Sequence, residues 1–233
     1  LHVRSRRQRQ MCIRDSAQTV PYGHPAFGRD PTTDQTRQRK PMSTVPESAT
    51  SYYENSIEEV LIDEETLSKR VKELAEATAA RHADDPEDLI LICVLKGAVM
   101  FLTDFSRALP IPNQMEFMAV SSYGAGASSS GVVRILKDLE RDITGRDVVI
   151  LEDILDSGLT LSWLLRNLSA RNPRSLEVVT LLRKPEARQT VNVECTDVGF
   201  DIDDDFVVGY GLDFNEQFRS LPFVAKLKPE VFQ

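Results

Sequence analysis

The chain has 233 residues, 41% of them hydrophobic, with 28 basic against 36 acidic side chains. That length buries one substantial core and leaves a tail, and no run approaches the roughly 18 apolar residues of a membrane span. Residues 1–41 hold nine Lys/Arg and three Asp/Glu, leaving 19 basic and 33 acidic residues in 42–233, a body too acidic to bind nucleic acid through its general surface.

Three cysteines, Cys12, Cys93 and Cys195, show neither metal-ligand spacing nor a disulfide framework, which suits a reducing cytoplasm. The histidines, His2, His24 and His82, lie outside every chemical stretch, which argues against histidine catalysis. Residues 1–55 are rich in Arg, Gln, Pro, Thr and Ser without a sustained apolar period, the pattern of a disordered tail. No apolar or amphipathic segment accompanies the arginines, so the tail reads as neither signal nor transit peptide. The chain opens on Leu1, and Met11-Cys12-Ile13-Arg14-Asp15-Ser16 looks like translated sequencing-adaptor sequence. Residues 1–41 are expected to be an upstream artefact, with the natural start at Met42. A basic arm for nucleic acid is the other reading of this stretch.

The ordered domain is expected over 56–233. Val60–Ile62 reads as a short strand, followed by a helix capped by Asp63, with Leu67, Val71, Leu74 and Ala75 on one face. Asp84-Asp85-Pro86 ends it. Leu89–Leu95 is an apolar run, a buried strand broken by Lys96-Gly97, and a helix over Ala98–Leu109 stops at Pro110. Met115–Val120 is strand-like and leads through Ser121-Ser122-Tyr123 into a Gly/Ser-rich loop over 124–131, small and polar as a lid needs to be. Val148–Leu151 reads as a central buried strand, Leu161–Leu168 as an amphipathic helix and Leu176–Leu182 as another strand. Two further short strands are expected at Val198–Ile202 and Phe206–Gly211. Strands alternating with helices predict an α/β fold, a mainly parallel twisted sheet flanked by helices, with ligands at the carboxyl ends of the strands.

Chemistry concentrates at 152–160. Glu152 and Asp153 follow the central strand, then come Asp156, Ser157, Gly158, Leu159 and Thr160 at the start of a helix. A small-residue turn into a helix aims N–H groups and hydroxyls at an anion. Adjacent carboxylates beside it would repel a bare phosphate, unless a divalent cation and sugar hydroxyls lie between. The reading is a site for a sugar phosphate with Mg²⁺. Asp156-Ser157-Gly158 taken alone also fits a plain turn with Ser157 or Asp156 as the helix cap. No Gly-x-x-x-x-Gly-Lys or Gly-x-Gly-x-x-Gly motif occurs after a strand, which weakens the mononucleotide and dinucleotide folds. Lys96 and Lys184 each follow an apolar strand, and Gly97 permits close approach of a ligand to the backbone. Phe206 and Tyr210 fit either core aromatics or a platform for a flat heterocycle. Asp213 fits a cap or an outer-sphere metal carboxylate.

Five segments occur in one order: Val-Leu-Lys-Gly at 94–97, Ser-Ser-Tyr-Gly at 121–124, Glu-Asp-Ile-Leu-Asp-Ser-Gly-Leu-Thr at 152–160, Leu-Leu-Arg-Lys-Pro at 181–185, and Asp-Phe-Val-Val-Gly-Tyr-Gly-Leu-Asp at 205–213. Together they resemble the bacterial hypoxanthine-guanine branch of the type I phosphoribosyltransferases, over about residues 55–233. The resemblance implies a small C-terminal hood, a flexible lid and a homo-oligomer, dimer or tetramer. It implies purine salvage, with phosphoribosyl passing from phosphoribosyl pyrophosphate (PRPP) to hypoxanthine or guanine to give IMP or GMP.

By the same resemblance, Glu152 and Asp153 hold the ribose hydroxyls and Mg²⁺. Asp156 to Thr160 wrap the 5′-phosphate, with Asp156 as general base near purine N7. Leu95–Lys96 is a cis peptide whose N–H meets pyrophosphate, with Gly97 beside it, and Ser122 and Tyr123 close over PRPP. Lys184 binds the 6-oxo group, Phe206 stacks on the ring, and Val207 reads its edge. Asp213 holds a second Mg²⁺ through water, and Arg219 contacts pyrophosphate. Leu159 departs from relatives that carry Lys there, so it is expected to contribute backbone only. Two alternatives stand beside this reading: transfer to another base (adenine, xanthine or orotate), and a nucleic-acid-binding regulator on the same fold. Lys184 argues against adenine, and the acidic body and intact Asp156 against the regulator.

Overall fold

The computed structural model describes residues 52–84, 88–122, 133–185 and 190–232. The tail before Tyr52, Tyr123 and the lid stretch 124–131 lie outside the described residues. A six-stranded sheet runs in the order β4-β3-β2-β5-β6-β7, from β2 (Leu89–Leu95), β3 (Gln114–Ser122), β4 (Val133–Lys137), β5 (Asp147–Leu155), β6 (Ser175–Arg183) and β7 (Asp197–Asp201). All neighbours are parallel except the edge pair β3–β4. A second, antiparallel sheet, ordered β1-β9-β8, joins β1 (Ile57–Ile62), β8 (Val207–Val208) and β9 (Val224–Leu227).

Alternation along the central strands divides the core. Leu89, Leu91, Cys93, Val149 and Leu151 pack with helices α1 (Glu64–Arg81) and α2 (Val99–Ala108). Ile90, Ile92, Val148 and Ile150 pack with α3 (Leu159–Ser169) on the other face, as the two-residue period of a strand requires. Burial on both faces explains why β2 and β5 read as continuous apolar runs. In α1, Leu67, Val71, Leu74, Ala75 and Thr78 are buried on one face. Asp63 caps it by accepting a hydrogen bond from Thr66 N–H at 2.7 Å, which lowers its pKa. Helix α2 ends where Leu109 turns to an extended backbone, as a residue before proline must.

Several elements differ from the sequence expectation. Tyr52–Asn55, assigned to the tail, are part of the folded structure: Tyr53 packs on Phe218 with ring centroids 4.2 Å apart, and Glu54–Ser56 form a 3-10 turn. Val133–Lys137, given no element in the sequence expectation, is a strand. β5 does not stop at Leu151 but carries Glu152 and Asp153 within it, because pairing with β6 continues to Leu155↔Arg183. Over 206–211 only Val207–Val208 is strand, since Gly209, Tyr210 and Gly211 all take positive φ and turn the chain. β9 and the short helix α4 (Pro229–Phe232) were not anticipated.

Candidate active site

The site grows from a split in the sheet. β2 pairs with β5 only as far as Cys93↔Leu151, while β5 continues beside β6. Glu152 and Asp153 therefore lie past the end of the β2–β5 ladder. The chain at the end of β2 turns through Leu95–Lys96, a cis peptide as expected, into Gly97. A Cβ on Gly97 would lie 1.6 Å from Asp153 Oδ2, so any larger residue there would displace the Asp153 carboxylate. Gly211, at φ +102°, backs against Gly97 in turn: its Cβ would fall 2.0 Å from Gly97 O. That contact seats the 209–213 turn on the 95–97 loop.

Burial dominates the acidic pair. Glu152 is pushed well up from the ordinary carboxylate range by burial, then by Asp153, and its Oε2 is buried with no hydrogen-bond partner. Asp153 is pushed up to about 6 by burial, despite the N–H of Ile154 and the positive charge of Arg219. The Ile154 N–H donates to Asp153 Oδ1 at 2.9 Å. An orphaned carboxylate oxygen next to a second costly carboxylate is what a divalent cation relieves. No group of three or more His, Cys, Asp or Glu among the described residues is placed to hold a metal. Two carboxylates suit Mg²⁺, which keeps water and substrate oxygens in its shell, better than an all-protein cage. Cys93, beside the pair, is raised to about 12 by burial, then by Glu152 and Asp153, and is inert as a thiolate nucleophile.

The turn after β5 is built for an anion. Gly158 has φ +74°, and a Cβ there would meet Val191 O at 2.3 Å. Ser157 O accepts from the N–H groups of Thr190 (2.9 Å) and Val191 (3.2 Å), pinning the turn. Gly158 is the residue preceding α3 and, having no side chain, caps nothing itself. The first-turn N–H groups, beginning at Leu159 and Thr160, lie at the positive end of the helix, where an anion is favoured. Asp156, Ser157, Leu159 and Thr160 are half-buried around this turn. Ser122 ends β3, two strands from β5, and pairs with Val133.

Lys184 follows β6, its N–H bonded to Leu155 O at 2.9 Å. The side chain is 10% exposed and its Nζ lies 3.3 Å from Asp204 Oδ1. A hollow of about 370 Å³ is lined by Arg183, Lys184, Pro185, Asp201, Ile202 and Asp203. Phe206, 41% exposed, lies outside that lining and stands edge-on to Phe214 at 5.7 Å. Val207 is buried and pairs with Lys226. Tyr210 resolves as a core residue, its hydroxyl donating to Asp104 Oδ2 at 2.8 Å.

Opposite the acidic pair stands a charged cluster. Arg219 Nη2 lies 2.7 Å from Asp213 Oδ1, and its Nη1 donates to Gly211 O at 2.6 Å. Asp213 Oδ2 accepts from Glu216 N–H at 2.8 Å. Asp213 thus serves Arg219 and the turn in this structure, beyond the metal role expected of it. Lys96 Nζ meets Glu216 Oε2 at 2.5 Å. Sequence reasoning overlooked Glu216 and Asp204, single acidic residues with no periodic signature. The nearby Arg219 and the succession Asp203-Asp204-Asp205 were the only signals.

A larger groove, about 1640 Å³, lies between the start of α1, α2 and residues 219–222. It shares Arg219 with the cluster, but its lining includes neither Glu152 and Asp153 nor the 156–160 turn. Volume alone does not locate the chemistry.

The fold and this arrangement define a class. The family model for the phosphoribosyl transferase domain matches residues 63–215, and the chain belongs to that family. Its relatives narrow the branch. It is 57% identical to the hypoxanthine-guanine phosphoribosyltransferase of Mycobacterium tuberculosis over 192 residues, 81% of this chain and 95% of that one. It is 45% identical to the hypoxanthine phosphoribosyltransferase of Escherichia coli, over 72% and 94% of the two chains. A crystal structure of the Staphylococcus aureus hypoxanthine phosphoribosyltransferase superposes with a TM-score of 0.75 at 41% identity, covering 80% of this chain and all of that one.

Proposed function

We propose that the chain transfers the phosphoribosyl group of PRPP to hypoxanthine or guanine, forming IMP or GMP and releasing pyrophosphate in purine salvage. The observation that carries the reading is Glu152 and Asp153, whose carboxyls are pushed upward by burial with Glu152 Oε2 lacking a partner, on the strand that leads through the 156–158 turn to the start of α3. A ribose 5′-phosphate bridges those two features. Its phosphate meets the N–H groups and hydroxyls of 156–160, and its hydroxyls meet the carboxylates.

In the reaction a purine nitrogen attacks C1′, the C1′–oxygen bond to pyrophosphate breaks, and positive charge builds on the sugar. Glu152 and Asp153 favour that charge through fixed negative groups. Asp156 accepts the purine proton, a transfer typically worth ~10²–10⁴-fold. Lys184 donates to the 6-oxo group, Phe206 offers its face to the ring, and Val207 reads the edge through its backbone. The N–H at Lys96, Gly97 and the guanidinium of Arg219 face the leaving pyrophosphate. Ser122 and Tyr123 close over PRPP and exclude water that would hydrolyse it. Mg²⁺, when bound, neutralises and orients the pyrophosphate; Glu152 and Asp153 are the residues to hold it, with Asp213 as an outer-sphere carboxylate for a second ion.

A homo-oligomer, dimer or tetramer, working in the cytoplasm completes the reading, and sedimentation of the purified chain tests the assembly. No helix among the described residues is long and apolar enough to cross a membrane. The deciding assay is PRPP consumption against hypoxanthine, guanine, xanthine, adenine and orotate. Turnover with the first two, dependent on Mg²⁺, is expected. Turnover with adenine alone, against the donor character of Lys184, would overturn the reading.

A further inference from the structure

Lys96 and Arg219 come from loops far apart in the chain, yet one carboxylate joins them. Glu216 places Oε2 2.5 Å from Lys96 Nζ and Oε1 3.3 Å from Arg219 Nη2. Its pKa is lowered first by the hydrogen bond from Lys96, with Arg219 adding to it. The position is not a relaxed surface loop. Asn215 and Glu216 have φ of 51° and 62°, left-handed values that cost side-chain-bearing residues energy. The Glu216 N–H is tied to Asp213 Oδ2 at 2.8 Å. Asp213 also holds Arg219, so the turn is fastened to the cation that its carboxylate contacts. Arg219 Nε remains buried without a partner.

We infer that Glu216 sets the affinity of the site for pyrophosphate: its carboxylate occupies the two cations that the leaving group needs and is displaced when pyrophosphate or PRPP binds. The inference rests on the reading that the Lys96 N–H and the Arg219 guanidinium face pyrophosphate, and it adds the Lys96 ammonium to them. Two oxygens on one carbon span the cations as two oxygens of a bound phosphate would. Glu216 and pyrophosphate compete for the same donors, and pyrophosphate binds more weakly by the strength of the contact it breaks. Lys96 and Glu216 are 62% and 63% exposed in their side chains, so the contact is solvent-screened and modest. That scale suits a contact that must open on every turnover. Without it, the product of the reaction is held longer, and release slows.

The test compares the full chain with Glu216→Gln, which keeps size and hydrogen bonding but drops the charge, titrating magnesium pyrophosphate calorimetrically. Glu76→Gln, a surface carboxylate paired with Lys72 on the far side of α1 from its core face, controls for the change in net charge. Glu216→Gln is expected to tighten pyrophosphate about three- to fivefold and to lower the inhibition constant of pyrophosphate against PRPP by the same factor. Glu76→Gln is expected to leave both constants unchanged. Equal or weaker binding in Glu216→Gln, or equal tightening in Glu76→Gln, overturns the inference. If neither the parent chain nor the variants bind magnesium pyrophosphate or PRPP at all, the proposed function fails instead.

Discussion

The two ends of β5 carry acidic residues under opposite terms. At the amino end Asp147 is 8% exposed and fully provided for. Arg174 donates to both its oxygens at 3.0 and 2.6 Å, and Ser175 Oγ donates at 2.7 Å. Those bonds from Arg174 hold its carboxyl down at about 2. About 20 Å along the strand, at the usual rise per residue, Glu152 and Asp153 are pushed upward by burial, and one oxygen has no partner. The protein satisfies the charge that only holds the sheet together. It leaves unsatisfied the pair that is to meet substrate and metal. A buried group without its partner marks a site more surely than a cavity does, and the groove of about 1640 Å³ away from β5 makes the same point.

The contrast can be broken most sharply at Asp156. Asp156→Asn keeps the shape of the turn but cannot take the purine proton. It should lower kcat by ~10²-fold or more while both KM values stay within a few-fold, the pattern of an interaction made only in the transition state. A near-normal kcat would reduce Asp156 to a loop former. Lys184→Ala comes next: KM for hypoxanthine and guanine should rise ~10-fold or more, the scale of a hydrogen bond from a charged donor, with KM for PRPP close to that of the parent. Equal losses for both substrates would point to a structural role.

A pair of variants then tests the comparison itself. Asp147→Asn should cost about 2 kcal/mol of stability, the scale for hydrogen bonds to a charged group, and leave KM for PRPP unchanged. Glu152→Gln should do the reverse, raising KM for PRPP ~10-fold with no loss of melting temperature, since it removes a costly buried charge. If Glu152→Gln melts well below the parent while Asp147→Asn does not, the assignment of the two ends is wrong.

Acidity should separate the ends further. The folded pKa of Asp147, about 2, lies below its ordinary 3.8. Its stabilisation is complete above pH 4 and is lost as pH falls toward 2. Glu152 and Asp153 are shifted the other way, so their penalty is absent in acid, sets in as pH rises past their ordinary values of 4.5 and 3.8, and for Asp153 is complete above about 6. In ligand-free protein, the melting temperature of Glu152→Gln minus that of the parent should be near zero at pH 4 and positive by pH 7. A difference that shrinks over that range contradicts the upward shift. The smallest effect is expected from deleting residues 1–41, which lack apolar periodicity: kcat/KM should stay within a few-fold, and a loss beyond tenfold, ~1.4 kcal/mol, would contradict the artefact expectation.

Much of the frame was legible in the residues. β2, β5, β6 and α1 announced themselves because strands buried on both faces are apolar throughout, and Leu67, Val71 and Leu74 repeat at helical spacing. The last strand, Val-Ala-Lys-Leu at 224–227, was not legible. Four residues carry too little pattern, and it exists by pairing with β1 on one side and β8 on the other. The run 206–211 looked like a strand by composition, yet Gly209, Tyr210 and Gly211 turn it at positive φ. Among site residues, the Glu-Asp pair and the Asp-Ser-Gly-Leu-Thr turn stood out because they sit between a strand and a helix. Glu216 did not, because a lone acidic residue in a loop resembles any solvated one.

Local sequence therefore settled which residues end a strand, turn and start a helix, because those choices depend on neighbours within a few positions. Gly158 with no side chain to cap α3 is such a case. Energetics of the site were settled only by the tertiary structure. Gly97 matters because Asp153, 56 residues on, puts its carboxylate in the space a Cβ would need. Lys96 finds its carboxylate partner 120 residues away. Neither burial nor the lack of a partner at Glu152 exists until β2 ends and β6 continues beside β5, since desolvation belongs to the packed assembly and to no stretch of chain.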